Sequence, residues 1–315
     1  MIKIENNEKR DLKELCENHF KAIRPSVNSA FKAVSSLKKC QKDFIETNLY
    51  DIITGLPADL EKIHVDYKSH CAQHRCIHFN KGLHKVFDYK KFIRKTTLPY
   101  NAYHLASALD IRVCPYCNRQ YTFTVVTSEG QFTRPELDHF LCQSQFPMFG
   151  LSFYNLIPSC KICNSSLKRD KKFKLDTHIH PYVRGFADDV SFTYRPNDSA
   201  AALGFNDNME VILQKKTNLV DEKQIDNNIK VFRLIETYHG HSDIVKDIVR
   251  KFYMTDGRYL DTLLESFPQI GSMDELYRLA FGTYLNDKLF DQRVLSKLTR
   301  DIVKSLDFTF PTTIP

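Results

Sequence analysis

The sequence predicts an α+β protein in which a small mixed module, stapled by cysteines, is inserted between predominantly helical N- and C-terminal segments. Three observations predict it. Apolar residues recur at helical spacing through residues 1–108 and again through 219–315. Strand-like runs with turn signals lie between them. Two C-x2-C pairs, Cys114/Cys117 and Cys160/Cys163, flank the middle of that stretch.

Leu12, Leu15, Cys16, Phe20 and Ile23 open the helical N-terminal segment, and Pro25 is expected to interrupt it. Phe44 with Ile45, and Ile52 with Ile53, suit further short amphipathic helices. In the mixed core, 109–185, the run Tyr121–Val126 leads through the turn TSEG, with Gly130, into a second run ending at Leu137, a hairpin signal. Val190–Asn197 and Met209–Lys216 predict a small β element over 186–218. Ile225, Ile229 and Phe232, then Ile244, Ile248 and Phe252, then Val294, Leu295, Leu298 and Ile302 return to helical spacing.

Hydrophobic residues make up 42% and charged residues 26%, an ordinary globular composition. No apolar run approaches the ~18 residues of a membrane span, and the first residues lack a signal core, so the expected compartment is the cytoplasm. Nine cysteines, an odd number, argue against a disulfide framework there. The net charge of +7 favours anionic partners such as nucleic acid. Basic residues concentrate between Lys161 and Lys174, where Asp170 is the single acid, and between Lys81 and Lys95, with Lys85, Lys90, Lys91 and Arg94.

Two-residue spacing lets both thiolates of a pair reach one ion, so Cys114, Cys117, Cys160 and Cys163 are candidate ligands of a tetrahedral zinc. A thioredoxin-like redox pair and a coincidence of spacing are the alternatives. Four sulfurs leave no position for water, which makes this zinc structural. Cys16 and Cys40 are expected in the core. The stretch His70–His78, with Cys71 and Cys76, is read as structure because its x4 spacing in a helical context does not suit a second metal site.

Between the cysteine pairs the order is Asp138-His139, then Asn155, then Asn164 directly after Cys163. Over residues 114–170 this resembles the HNH family of ββα-metal endonucleases, in its branch with paired C-x2-C zinc knuckles. The residue types suit phosphodiester hydrolysis on their own chemistry. An imidazole titrating near neutrality can take a proton from water, so His139 is the candidate general base. A hard oxygen ligand such as Asp138 suits Mg²⁺ or Mn²⁺. The resemblance implies that Asp138 and Asn164 hold that ion together and that Asn155 braces the loop and orients His139. It also implies a helix starting near Ser159 that carries Lys168, Arg169, Lys171 and Lys172 toward DNA phosphates. His180, in the run IHPY, is either a further ligand or phosphate contact or a buried structural histidine.

The chain departs from the family pattern at Cys142 and Gln143, where a Pro and a Lys are usual, and at Leu167, with the expected Lys one residue later as Lys168. The large helical flanks and the run YNLIPSCKICNSS are similar to PtuB-type HNH subunits of Septu and retron anti-phage systems. That likeness implies an ABC/RecF-like ATPase partner docking on the helical segments, with nucleic acid, DNA ahead of RNA, as substrate and no membrane association. A stand-alone restriction or repair endonuclease, and a non-catalytic zinc module that binds nucleic acid or protein, stay open as alternatives.

Overall fold

Asp11 caps the first helix, α1 (Leu12–Ala33), by accepting from the amides of Lys13 and Glu14. The computed structural model describes residues 1–76, 80–94, 99–312 and 314. It is mixed α+β with small sheets, and its chain divides into two units. Glu5–Ile111 with Thr122–Val183 form the N-terminal unit; Met1–Ile4, Arg112–Tyr121 and Arg184–Pro315 form the C-terminal unit.

In the N-terminal unit, α1 continues through Pro25 rather than stopping there. Its buried face, Cys16, His19, Ile23 and Val27, extends past the proline, and that packing outweighs a penalty of about 3 kcal/mol. Helices α2 (Lys39–Thr54) and α3 (Pro57–Gln73) meet through Phe44 and Tyr67, whose rings are 5.3 Å apart. Helices α4 (Leu83–Val86), α5 (Tyr89–Phe92) and α6 (Ala102–Leu109) complete the helical part.

Strands β1 (Val125–Thr127) and β2 (Gly130–Thr133) form the expected hairpin, but a shorter one. The second run does not continue to Leu137. Pro135, with no amide hydrogen to donate, separates β2 from β3 (Glu136–His139), which pairs antiparallel with β4 (Leu156–Ser159) instead. The chain between β3 and β4 is buried through Phe140, Leu141, Phe149 and Phe153. Helices hold it: His19 Nε2 lies 2.8 Å from the Leu151 carbonyl, and Ser152 Oγ donates to the Ile52 carbonyl. The N-terminal helices therefore share one core with the β3–β4 region rather than forming a segment apart.

In the C-terminal unit, β5 (Val190–Pro196) and β6 (Met209–Lys215) pair antiparallel along their whole length, around the short α7 (Ser199–Ala202). Helices α8 (Glu222–Val231), α9 (Leu234–His239), α10 (Ser242–Thr255), α11 (Tyr259–Ser266), α12 (Met273–Phe281) and α13 (Ser296–Ser305) follow. The β element and the helices after it thus belong to one unit. Helix α13 is fixed to β5 by a buried charge cluster. Asp301 accepts from the Phe192 amide at 3.0 Å, Lys297 Nζ at 2.7 Å and Arg300 Nη2 at 2.9 Å. Among the described residues no helix is long and apolar enough to cross a membrane.

Removing one member of a buried charge pair strands the other. Asp301→Ala is expected to cost about 3–5 kcal/mol in equilibrium denaturation, because Lys297 stays buried without its carboxylate. A change under about 1 kcal/mol, the size typical of exposed pairs, would show that the cluster does not anchor α13.

Candidate active site

Alternation along β3 puts Glu136 and Asp138 on one side of the strand and Leu137 and His139 on the other. The pairing Asp138↔Ile157 and His139↔Leu156 with β4 sets their height in the sheet. After β4 the chain enters a π-helix, Ile162–Lys168.

Asp138 is only 3% exposed and faces Lys168, itself 1% exposed, with Nζ 2.9 Å from Oδ1. The same ammonium donates to the His139 carbonyl at 2.8 Å. Lys168 is therefore not part of an exposed phosphate-binding face, as the sequence suggested, but a buried partner of Asp138. The π-helix explains the difference. Its bonds run from residue i+5 to residue i, as from the Arg169 amide to the Asn164 carbonyl at 2.7 Å. That wider turn brings Cys163 and Lys168, five residues apart, both to the inside. It absorbs the one-residue delay of the lysine noted in the sequence.

The helix is also shorter than expected. Ser159 ends β4, and Arg169, with φ 54°, ends the helix. Arg169, Lys171 and Lys172 are exposed on the segment after it, not on a helical face. The other basic cluster is exposed at Lys85, Lys90, Lys91 and Arg94; Lys95, like His78, lies outside the described residues.

Asn164 meets Glu136 rather than Asp138: its Nδ2 donates to Glu136 Oε2 at 3.0 Å, and Ser165 Oγ donates to the same oxygen at 2.6 Å. Glu136 and Asp138 thus put two carboxylates, the hard donor class that Mg²⁺ or Mn²⁺ takes, on one side of the strand, while Asn164 turns its amide nitrogen to Glu136. Among the described residues no three His, Cys, Asp or Glu ligand atoms cluster around Asp138, and its charge is already met by an ammonium.

His139 is half-buried, with Nε2 3.0 Å from the Gly150 carbonyl. A carbonyl only accepts, so Nε2 carries the hydrogen and Nδ1 keeps its lone pair. The ring packs edge-on to Tyr89 at 4.3 Å, and the Tyr89 hydroxyl donates to the Leu137 carbonyl at 2.7 Å. Burial pulls the His139 pKa below the ordinary histidine value; the Gly150 carbonyl and Asp138 oppose the shift, and the Lys168 cation adds to it. The imidazole is thus neutral near neutral pH and able to accept a proton.

Asn155 is 1% exposed and bonded to the loop on both faces of its amide. Its Oδ1 accepts from the Leu141 amide at 2.7 Å, while Nδ2 donates to the carbonyls of Leu141 at 3.2 Å and Phe149 at 3.1 Å. One side chain so ties both ends of the loop, and the next residue, Gly150, offers the carbonyl that holds His139. His180 takes the structural reading: it is 2% exposed, its ring is 4.2 Å from Phe140, and burial lowers its pKa to about 3.

The sulfurs of Cys114, Cys117, Cys160 and Cys163 lie within 4.8 Å of one another, and all four residues are buried. Thiolates around one zinc stand about 3.8 Å apart for Zn–S bonds of about 2.3 Å, so this cluster can hold a metal such as zinc. The Cys163 amide points at Cys160 Sγ, 3.4 Å away. Comparisons with protein-family models, with characterised proteins and with solved structures found no match.

Two site residues were missed in the sequence. Glu136 stands two positions before Asp138, the strand period, and that spacing could have revealed it. Tyr89 comes from a four-residue helix about fifty positions upstream, with no local signal.

His19 and His180 stay buried and neutral when folded, with pKa lowered to about 4 and about 3 from 6.5. The unfolded chain binds protons that the folded one refuses between those values, so stability present above pH 6.5 falls as the pH drops through that window. Each histidine is expected to contribute a slope of about 1.4 kcal/mol per pH unit there. Denaturant titrations from pH 7 down should show His180→Gln with a flatter acid limb than wild type. Parallel limbs would refute the assignment.

Proposed function

We propose that the chain is a metal-dependent endonuclease of HNH type that hydrolyses nucleic-acid phosphodiester bonds, with DNA as the substrate. The observation that carries this reading is His139, anchored through Nε2 on the Asn155-braced loop, with a neutral Nδ1, next along β3 to the Asp138 carboxylate. The antiparallel β3–β4 pair followed by a helix supports the ββα assignment.

In this reading His139 Nδ1 removes a proton from water as the water oxygen bonds to phosphorus and the bond to the 3′ oxygen breaks. The leaving oxygen is protonated from solvent. Asp138 and Asn164 would hold Mg²⁺ or Mn²⁺, which supplies charge neutralisation at the phosphate. Asn155 and the Gly150 carbonyl orient the base. Exposed Arg169, Lys171 and Lys172 offer charge to the backbone, as do Lys90 and Lys91 beside Tyr89. The four-cysteine cluster takes a structural Zn²⁺.

For the biological setting, we infer an effector nuclease of a bacterial anti-phage system acting with an ABC/RecF-like ATPase. An ABC/RecF-like ATPase encoded beside this chain is expected to co-purify with it on co-expression. Separate elution, with cleavage indifferent to its presence, would point to the stand-alone nuclease.

His139→Ala is expected to lower plasmid nicking in Mg²⁺ or Mn²⁺ by about 10²–10⁴-fold while fold and DNA binding persist. The wild-type rate should rise with pH through a midpoint below 6.5, since burial depresses the base. If wild type and variant are equally inert under every metal and partner condition, the non-catalytic binding module is the better description.

A further inference from the structure

Three further cysteines of the N-terminal unit, Cys40, Cys71 and Cys76, are buried with all three sulfurs within 4.8 Å of one another. Their spacing does not suggest this. In a continuous helix Cys71 and Cys76 would face different ways. Helix α3 ends at Gln73, however, and Arg75 turns into the left-handed region at φ 53°. The Cys76 amide then donates back to the Cys71 carbonyl at 2.8 Å, which folds the second sulfur over the first. Cys40 arrives from the first turn of α2, where the helix N-terminus favours a thiolate. Helix packing fixes it: His70 Nε2 sits 3.0 Å from the Cys40 carbonyl, and Phe44 lies 5.4 Å from the His70 ring.

Two features single this triad out. Gln41 Nε2 donates to the Tyr67 hydroxyl at 2.7 Å, and that hydroxyl in turn donates to Cys71 Sγ. This buried relay orients the sulfur as an acceptor, the arrangement that outer-shell donors give to metal-bound thiolates. The second feature is the backbone span. Cys40 and Cys76 touch as a disulfide, yet their Cα atoms are 7.4 Å apart. A disulfide ordinarily spans about 4.4–6.8 Å, and two ligands of one ion have no such limit.

We propose that Cys40, Cys71 and Cys76, in their reduced form, make a second metal site for a thiophilic ion, Zn²⁺ in the first instance, distinct from the Cys114/Cys117/Cys160/Cys163 cluster. The proposal is independent of the nuclease reading. Three thiolates suit zinc or another soft d¹⁰ ion and exclude magnesium or calcium. The ion would tie α2 to the end of α3.

The test counts metals and thiols on the full-length protein purified anaerobically without added chelator. Elemental analysis of wild type is expected to give two zinc ions per chain, and all nine cysteines should react as thiols once denatured with chelator. Cys71→Ser and Cys76→Ser should each lose one ion, and Cys114→Ser the other. One zinc with seven thiols, the number left outside a Cys40–Cys76 disulfide, would overturn the proposal in favour of that disulfide. One zinc with nine thiols would overturn it as well. The wild-type counts decide the matter even where a serine variant fails to fold.

Discussion

An ammonium group taken out of water loses several kcal/mol of hydration, and at Lys168 the loss is met by Asp138 and the His139 carbonyl. The rest of the site is built around that pair. It draws the π-helix onto the side of β3 that carries Glu136 and Asp138, and it leaves His139 directed to the opposite side. Removing either charge would leave the other buried and uncompensated. A divalent ion acting at Asp138, as proposed, would have to share the carboxylate with this ammonium, so the site's affinity for cations depends on where Lys168 sits.

Orientation of the imidazole rests on a second, uncharged device. The loop between β3 and β4 would be too long to hold one conformation by itself. Asn155 closes it at Leu141 and Phe149, and the N-terminal helices wall it with apolar side chains, with His19 and with the Ile52 carbonyl that accepts from Ser152. Tyr89 adds the face against which His139 rests. The helical segment therefore has a role before any partner is considered: it makes the loop rigid enough for one backbone carbonyl to set the tautomer of one histidine.

The cysteines illustrate two ways of gathering sulfur. C-x2-C places both thiols of a pair on one short turn, so the grouping is local in each half. Cys71 and Cys76 meet only because the helix between them ends in a left-handed residue, and Cys40 joins them through helix packing. Cys40 lies in the core as expected, but there it also touches Cys76 as a disulfide, which the odd cysteine count did not lead one to expect. Burial alone could not have told the two cases apart.

Much of the fold was legible in the residues themselves. Helical periodicity marked α1 and the C-terminal helices, alternation marked β5 and β6 to within a residue or two, and the four-cysteine cluster followed from spacing. Adjacent Asp138 and His139 had to face opposite ways in a strand, whatever surrounded them. These features depend on backbone geometry over a few residues, which a sequence specifies by itself. The inward turn of Lys168, the bond between Asn164 and Glu136, the wall provided by Tyr89 and the continuation of α1 through Pro25 were decided only by tertiary structure. Each is a pairing or a packing gain between groups distant along the chain. Its energy comes from desolvation and contact that exist only once the core has closed.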